Sequence, residues 1–106
     1  MAHIKFMTAD GNTMVIDAPL GMSLMEVAVA NNVPGIDADC GGACACATCH
    51  VYVDPAWVDR LPAKTETEQK MLEFAVAVQA NSRLSCRLTV DSNLEGLALH
   101  VPASQY

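Results

Sequence analysis

Apolar and polar positions alternate in two short runs near the start of the chain, Ile4-Lys5-Phe6 and Met14-Val15-Ile16, with Asp10-Gly11 between them. Alternation puts every second side chain on one face of a strand, and Asp-Gly supplies the backbone freedom a tight reversal needs. The two runs therefore predict a β-hairpin. The period then changes, because Leu24, Val27, Ala28 and Asn31 recur at helical spacing. Ser23-Leu24-Met25-Glu26 has the form of a capping box, in which each outer side chain accepts the other residue's backbone N–H. A helix of about nine residues follows, stopped by Asn32-Val33-Pro34-Gly35 and packed on the hairpin.

His50-Val51-Tyr52-Val53 returns to a strand pattern. Asp54-Pro55 offers an N-cap and then a proline at the first helical position, where its missing N–H is no loss, predicting a short helix through Trp57. Thr65-Glu66-Thr67-Glu68 reads as a second capping box. It opens a helix with Met71, Leu72 and Ala75 inward and Glu66, Lys70 and Glu73 toward solvent. Leu88-Thr89-Val90 and the alternating Leu97, Leu99 and Val101 predict two last strands around Asp91-Ser92-Asn93. A hairpin, a helix and further strands with short helices between them indicate an α+β domain.

With 106 residues, 52% apolar and 17% charged, the chain has the size of one globular domain, residues 1–106, with a modest core. No repeat, linker or low-complexity stretch divides it. The longest nearly apolar run, Phe74 to Val78, is far too short for a bilayer, and no basic leader precedes an apolar stretch near Met1. The expectation is a cytoplasmic protein with no membrane partner. Twelve acidic residues against six basic ones give a net charge of −6, which argues against nucleic acid as a partner and suits a monomer.

Cysteine changes the picture most. Cys40, Cys46 and Cys49 form a C-x5-C-x2-C run, and Cys86 stands alone after 36 intervening residues. Four thiolates on two irons are the minimal protein ligation of a [2Fe–2S] cluster, and a tight three-cysteine loop plus one distant cysteine is how single-cluster ferredoxins supply it. The loop from Cys40 to Cys49 is built almost wholly from small residues. Gly41 and Gly42 let the backbone wrap a compact anion with its N–H groups inward, and Thr48 can add a hydroxyl donor. Cys44 does not fit the plant-type spacing from either side, since Ala45 and Tyr52 occupy the positions needed. It reads as a small buried filler, with ligand swapping or redox sensing as alternatives.

Other uses of these residues fit less well. Tetrahedral zinc, the structural alternative, usually shows two short cysteine pairs, whereas only Cys46 and Cys49 form one here. A thioredoxin-like pair should open a helix, but this pair leads into a strand. Gly41-Gly42 lacks the lysine and hydroxyl residue of a phosphate loop. His50 adjoins a ligand, yet a Rieske centre needs two histidines, so His50 reads as a hydrogen-bond donor beside the cluster. His3 and His100 read as ordinary structural or surface positions, and Trp57 as packed in or beside the core.

The stretch from Ile36-Asp37-Ala38-Asp39-Cys40 through Cys49-His50-Val51-Tyr52-Val53, the segment Asn81-Ser82-Arg83-Leu84-Ser85-Cys86 and the ending Val101-Pro102-Ala103-Ser104-Gln105-Tyr106 resemble the adrenodoxin and putidaredoxin family, in a bacterial form. The resemblance covers essentially the whole chain. Five residues rather than four between the first two loop cysteines set this family apart from plant-type ferredoxins. The resemblance implies a β-grasp fold, with a mixed sheet crossed by one main helix and one [2Fe–2S] cluster near an edge on Cys40, Cys46, Cys49 and Cys86. It implies an electron-transfer protein rather than an enzyme, carrying one electron from an NAD(P)H-dependent flavoprotein ferredoxin reductase to a cytochrome P-450 monooxygenase.

By the same resemblance, the His50 ring ties the cluster loop to the rest of the fold, while Arg83 either braces that loop or is a plain surface arginine. Asp39 and Tyr106 are partner contacts, Tyr106 standing where the putidaredoxin pattern has tryptophan. Iron–sulfur assembly ferredoxins share the appearance of Ala43-Cys44-Ala45-Cys46 through Cys49-His50, so electron donation to cluster synthesis is the alternative role. The Val101 to Tyr106 ending favours the monooxygenase.

Four thiolates and an oxidised two-iron core would bring the charge to about −8. Asp37, Asp39, Asp54, Asp59, Glu66, Glu68 and Glu73 outnumber Arg60, Lys64 and Lys70 in the stretch flanking the cluster loop. Such runs are usually solvated faces; placement beside the cluster points to docking of basic partners, with Glu66 and Glu73 as contacts.

Overall fold

The computed structural model describes residues 2–33, 36, 49–75 and 77–102. Strands β1 (Ala2–Met7) and β2 (Thr13–Ala18) pair antiparallel, with Ile4 opposite Ile16 and Phe6 opposite Met14. Ala2, Ile4 and Phe6 turn inward while His3 and Lys5 face solvent, as the alternation required. In the turn, Gly11 takes φ +91°, and the Asp10 carboxylate accepts from the Thr8 hydroxyl and the Asn12 backbone N–H.

The capping box at Ser23 is complete. Ser23 Oγ accepts the Glu26 N–H at 3.1 Å, and Glu26 Oε1 accepts the Ser23 N–H at 3.2 Å. Helix α1 (Leu24–Ala30) buries Leu24, Met25, Val27 and Ala28. It is shorter than expected because Asn31 ends it as C-cap, folding Nδ2 back onto the Val27 carbonyl at 2.8 Å, and Asn32 follows at φ +55°.

Strands β3 (His50–Val53), β4 (Ser82–Leu84) and β5 (Ala98–His100) complete a five-stranded sheet of order β2-β1-β5-β3-β4. β5 lies parallel to β1 and antiparallel to β3, and β3 lies antiparallel to β4. Phe6, Leu24, Val51, Leu84, Leu88, Leu97 and Leu99 are all fully buried in one core. This mixed sheet with its helices is an α+β arrangement of the β-grasp kind. Among the described residues, no helix is long and apolar enough to cross a membrane.

Three local expectations need correcting, and one strand went unpredicted. No α-helix runs through Trp57: Asp54 caps a turn, its Oδ1 accepting the Ala56 N–H at 3.0 Å, and a 3-10 helix covers only Val58–Arg60. Leu61 is extended there, as a residue before proline tends to be. Trp57 does pack against the core, with the Arg60 guanidinium 4.1 Å from its ring centroid.

Leu88 to Val90 forms no strand of the sheet. It bonds instead to the segment leading into α1, through Leu24 N–H to the Leu88 carbonyl and Val90 N–H to the Met22 carbonyl, both at 2.8 Å, with a single bridge between Ser23 and Thr89. That partner segment turns into the helix after Ser23, so the ladder cannot lengthen.

β4 was not foreseen, being too short and too polar to show alternation. The capping box of α2 (Glu66–Leu72) is half-formed: Thr65 Oγ1 accepts the Glu68 N–H at 3.1 Å, but the Glu68 side chain is engaged elsewhere.

Candidate metal centre

Cys49 lies one residue before β3, and Cys86 sits in the 3-10 turn Ser85–Arg87 directly after β4. Because His50 stands opposite Leu84 in the antiparallel ladder, the next position outward brings Ser85 to Cys49. Both donors of Ser85 reach the Cys49 carbonyl, the N–H at 3.0 Å and the hydroxyl at 2.7 Å. The turn then carries Cys86 back, so that the two Sγ atoms lie 3.2 Å apart, Cys49 buried and Cys86 half-buried.

That separation is well beyond the roughly 2.05 Å of a disulfide. It is shorter than the roughly 3.8 Å between two thiolates on one tetrahedral metal with bonds of about 2.3 Å. The two sulfurs would need to part by about 0.6 Å to share one tetrahedral metal. Asp39, Cys40, Gly41, Gly42, Cys44, Cys46, Thr48 and Tyr106 lie outside the described residues.

His50 is fully buried, with Nε2 2.8 Å from Ser82 Oγ. Ser82 Oγ already accepts the Gln79 N–H at 2.8 Å. The Ser82 hydroxyl thus joins His50 and the Gln79 backbone, donating to or accepting from Nε2 according to the ring's tautomer. Burial lowers the His50 pKa, so the ring is neutral. Tyr52 meets the ring edge-on at 4.8 Å and gives its hydroxyl proton to the Ala77 carbonyl at 2.7 Å. The ring is thus linked to β4 and, through Tyr52, to the stretch after α2.

Arg83 is not a plain surface arginine. Its guanidinium is buried and donates to Glu68 from Nε at 2.7 Å and from Nη2 at 3.0 Å, and to the Pro62 carbonyl from Nη1 at 2.7 Å. Among the described residues these bonds brace α2 and the chain before it rather than the cluster loop. Glu68 also accepts the Leu84 N–H at 3.0 Å and is fully buried, so it leaves the acidic face to which its sequence position assigned it. The reason is charge: a carboxylate beside an inward arginine gains more from that partner than from the helix cap. Ser82, Ser85 and Glu68 were missed as shapers of the site. The signal for Glu68, one acid and one arginine both buried, is not visible before the elements are placed.

Glu66 and Glu73 are exposed as expected, with Lys70 Nζ 3.4 Å from Glu66 Oε1. Phe74, two residues past the end of α2, is 72% exposed. His100 lies 3.6 Å from Asp54. His3 is more engaged than an ordinary surface residue. Its Nδ1 is 2.5 Å from Glu95 Oε1 and its Nε2 2.9 Å from Asp17 Oδ1. Glu95, by hydrogen bond and charge, and then Asp17 raise its pKa above the ordinary 6.5.

A family profile described as a 2Fe-2S iron-sulfur cluster binding domain matches residues 7–91. The sequence is 49% identical to ferredoxin CarAc of a Sphingomonas species over 103 residues, 97% of this chain and 94% of that one. The fold matches the crystal structure of a reduced putidaredoxin variant from Pseudomonas putida with a TM-score of 0.95, at 40% identity, covering 99% of this chain and 100% of that one. It matches putidaredoxin in a covalent complex with putidaredoxin reductase with a TM-score of 0.90, at 42% identity, covering 95% and 98%.

Proposed function

Because the chain belongs to the 2Fe-2S ferredoxins of the adrenodoxin and putidaredoxin type, electron-transfer proteins that carry one [2Fe–2S] cluster, we propose that it shuttles single electrons from an NAD(P)H-dependent flavoprotein ferredoxin reductase to a cytochrome P-450 monooxygenase. The observation that carries this reading is the pair of thiols 3.2 Å apart, supplied by two segments far separated in sequence. In it, Cys40, Cys46, Cys49 and Cys86 would hold the cluster. The bound cluster supplies a reversible one-electron couple at thiolate-ligated iron.

The chain's own residues set the conditions for that couple. Burial of Cys49 and neutral His50 keeps water and a fixed positive charge away from one side of the site. Gly41, Gly42 and Thr48 are the residue types that would offer a cluster N–H and hydroxyl donors. On the outer side of α2, Glu66 and Glu73 add to a net charge of −6 and steer basic partners into short-lived complexes, with Asp39 and Tyr106 as further contacts. The reductase half of the proposal is supported by the relative captured with its own reductase. The protein is proposed to act in the cytoplasm as a monomer of one domain, residues 1–106.

Stopped-flow oxidation of the reduced protein tests the acceptor. Two acceptors are offered, a substrate-bound cytochrome P-450 and a cysteine desulfurase–scaffold assembly system. Fast, salt-sensitive transfer to the haem enzyme alone is expected. Preference for the assembly system would assign the chain to cluster synthesis instead.

A further inference from the structure

We propose that Ser85 is a positioning residue for the cluster, setting the stance of the Cys49 and Cys86 sulfurs through a two-donor hold on the Cys49 carbonyl. The inference rests on Cys49 and Cys86 being iron ligands. A ladder continuing outward from His50 and Leu84 would give the Cys49 carbonyl one donor, the Ser85 N–H, and it has that bond at 3.0 Å. The Ser85 hydroxyl adds a second at 2.7 Å. Cys49 and Ser85 are both fully buried, so water does not compete for either bond, and both lone pairs of the carbonyl are used.

The position of this hold matters. The Cys49 carbonyl shares a rigid plane with the His50 N–H. Fixing it fixes both the direction from which Cys49 projects its sulfur and the point at which His50 enters β3. On the other side, Ser85 is covalently joined to Cys86 and accepts the Leu88 N–H at 3.4 Å, closing the turn that carries Cys86. One residue thus grips the backbone of one sulfur carrier and anchors the turn of the other.

Alanine at position 85 keeps the N–H bond and removes the hydroxyl bond, with two consequences. The freed peptide plane lets the thiolate release iron more readily. Loss of an O–H dipole whose positive end points at Cys49 also makes adding an electron less favourable, so the midpoint potential falls. A residue that merely supports the fold would produce the first effect through general loosening, and not the second.

The test uses the cluster-loaded protein as Ser85→Ala beside Thr65→Ala, which deletes a side-chain hydroxyl that accepts a backbone N–H at the start of α2. Bleaching by excess iron chelator is expected to be about fivefold faster in Ser85→Ala, the scale of one lost buried hydrogen bond. Its potential should fall and its visible circular dichroism change, while Thr65→Ala keeps the wild-type potential. Wild-type potential and dichroism in Ser85→Ala, or an equal shift in Thr65→Ala, would overturn the proposal.

If Ser85→Ala does not fold, Ser85→Thr and Ser85→Val make the same comparison, since they share a shape and differ in the hydroxyl. A lower potential for valine supports the hold, and coincidence of the two overturns it. Cys86→Ser, measured alongside, separates the premise from the inference. An unchanged cluster spectrum there removes the ligand assignment and the proposal with it, whereas a changed one with a silent Ser85→Ala removes the hold alone.

Discussion

Replacing Arg83 with methionine should be among the most damaging single changes outside the cysteines. The methionine keeps much of the apolar stem and deletes the guanidinium. Glu68, with its side chain fully buried, then loses the donors at 2.7 and 3.0 Å and, among the described residues, keeps only the Leu84 N–H at 3.0 Å. The Pro62 carbonyl loses its 2.7 Å donor as well. Stranding a buried charge in this way costs about 3–5 kcal/mol, a large part of the roughly 5–15 kcal/mol that holds a domain folded. At about 4 °C or more per kcal/mol for a chain of this length, the melting temperature should fall by roughly 12 °C or more.

Far-ultraviolet circular dichroism and cluster absorbance, followed together on heating, read the loss. Adding Glu68→Gln to the same chain removes the stranded charge while leaving an acceptor for the Leu84 N–H, and should restore about 2 kcal/mol. A drop of only a few degrees in the single variant, or no recovery in the double one, would refute this account of the pair.

Three further outcomes are expected. Because the His3 pKa is raised by Glu95 and Asp17, its contribution is complete below the ordinary 6.5 and is lost as pH rises through the folded value. The stability gap between wild type and His3→Gln, taken from urea titrations, should therefore shrink on going from about pH 5.5 to about pH 8.5, and a constant gap would dismiss the clamp. Ala77 sits at φ +55°, a region that penalises a β-carbon, so Ala77→Gly should raise stability by about 0.5–1 kcal/mol in the same titrations; a decrease would show that the strain is absent. Glu73→Gln should slow reduction by the reductase at low salt and match wild type at high salt, and parallel salt curves would exclude Glu73 from steering.

Elements governed by local chemistry were legible in the sequence. The Asp10-Gly11 hairpin, the reciprocal cap of Ser23 and Glu26 and the strand from His50 depend on neighbours a few residues away. What escaped depends on distant partners. Glu68 satisfies its local motif on paper, yet its carboxylate is claimed by Arg83, fifteen residues on and in another element. Leu88 to Val90 has a strand's composition, but the backbone it meets belongs to the approach to α1. Within the site, the spacing of Cys49 and Cys86 pointed to a shared centre, and their sulfurs do meet. Nothing in the letters indicated that the serine before Cys86 would grip the Cys49 carbonyl, because that bond exists only once β3 and β4 are in register.

The strand order carries a consequence for biosynthesis. β5 is among the last elements in sequence yet sits inside the sheet, between the N-terminal hairpin and the strand that follows Cys49. Translation delivers the hairpin first, and the two halves of the sheet have no shared neighbour until Ala98–His100 arrives to pair with β1 on one side and β3 on the other. A nascent chain halted before that point has the β3–β4 pair that brings Cys49 to Cys86, but not the full sheet that carries it. The strand around residue 100 is therefore what joins the two halves of the sheet, and a chain that stops short of it is expected to leave them unjoined.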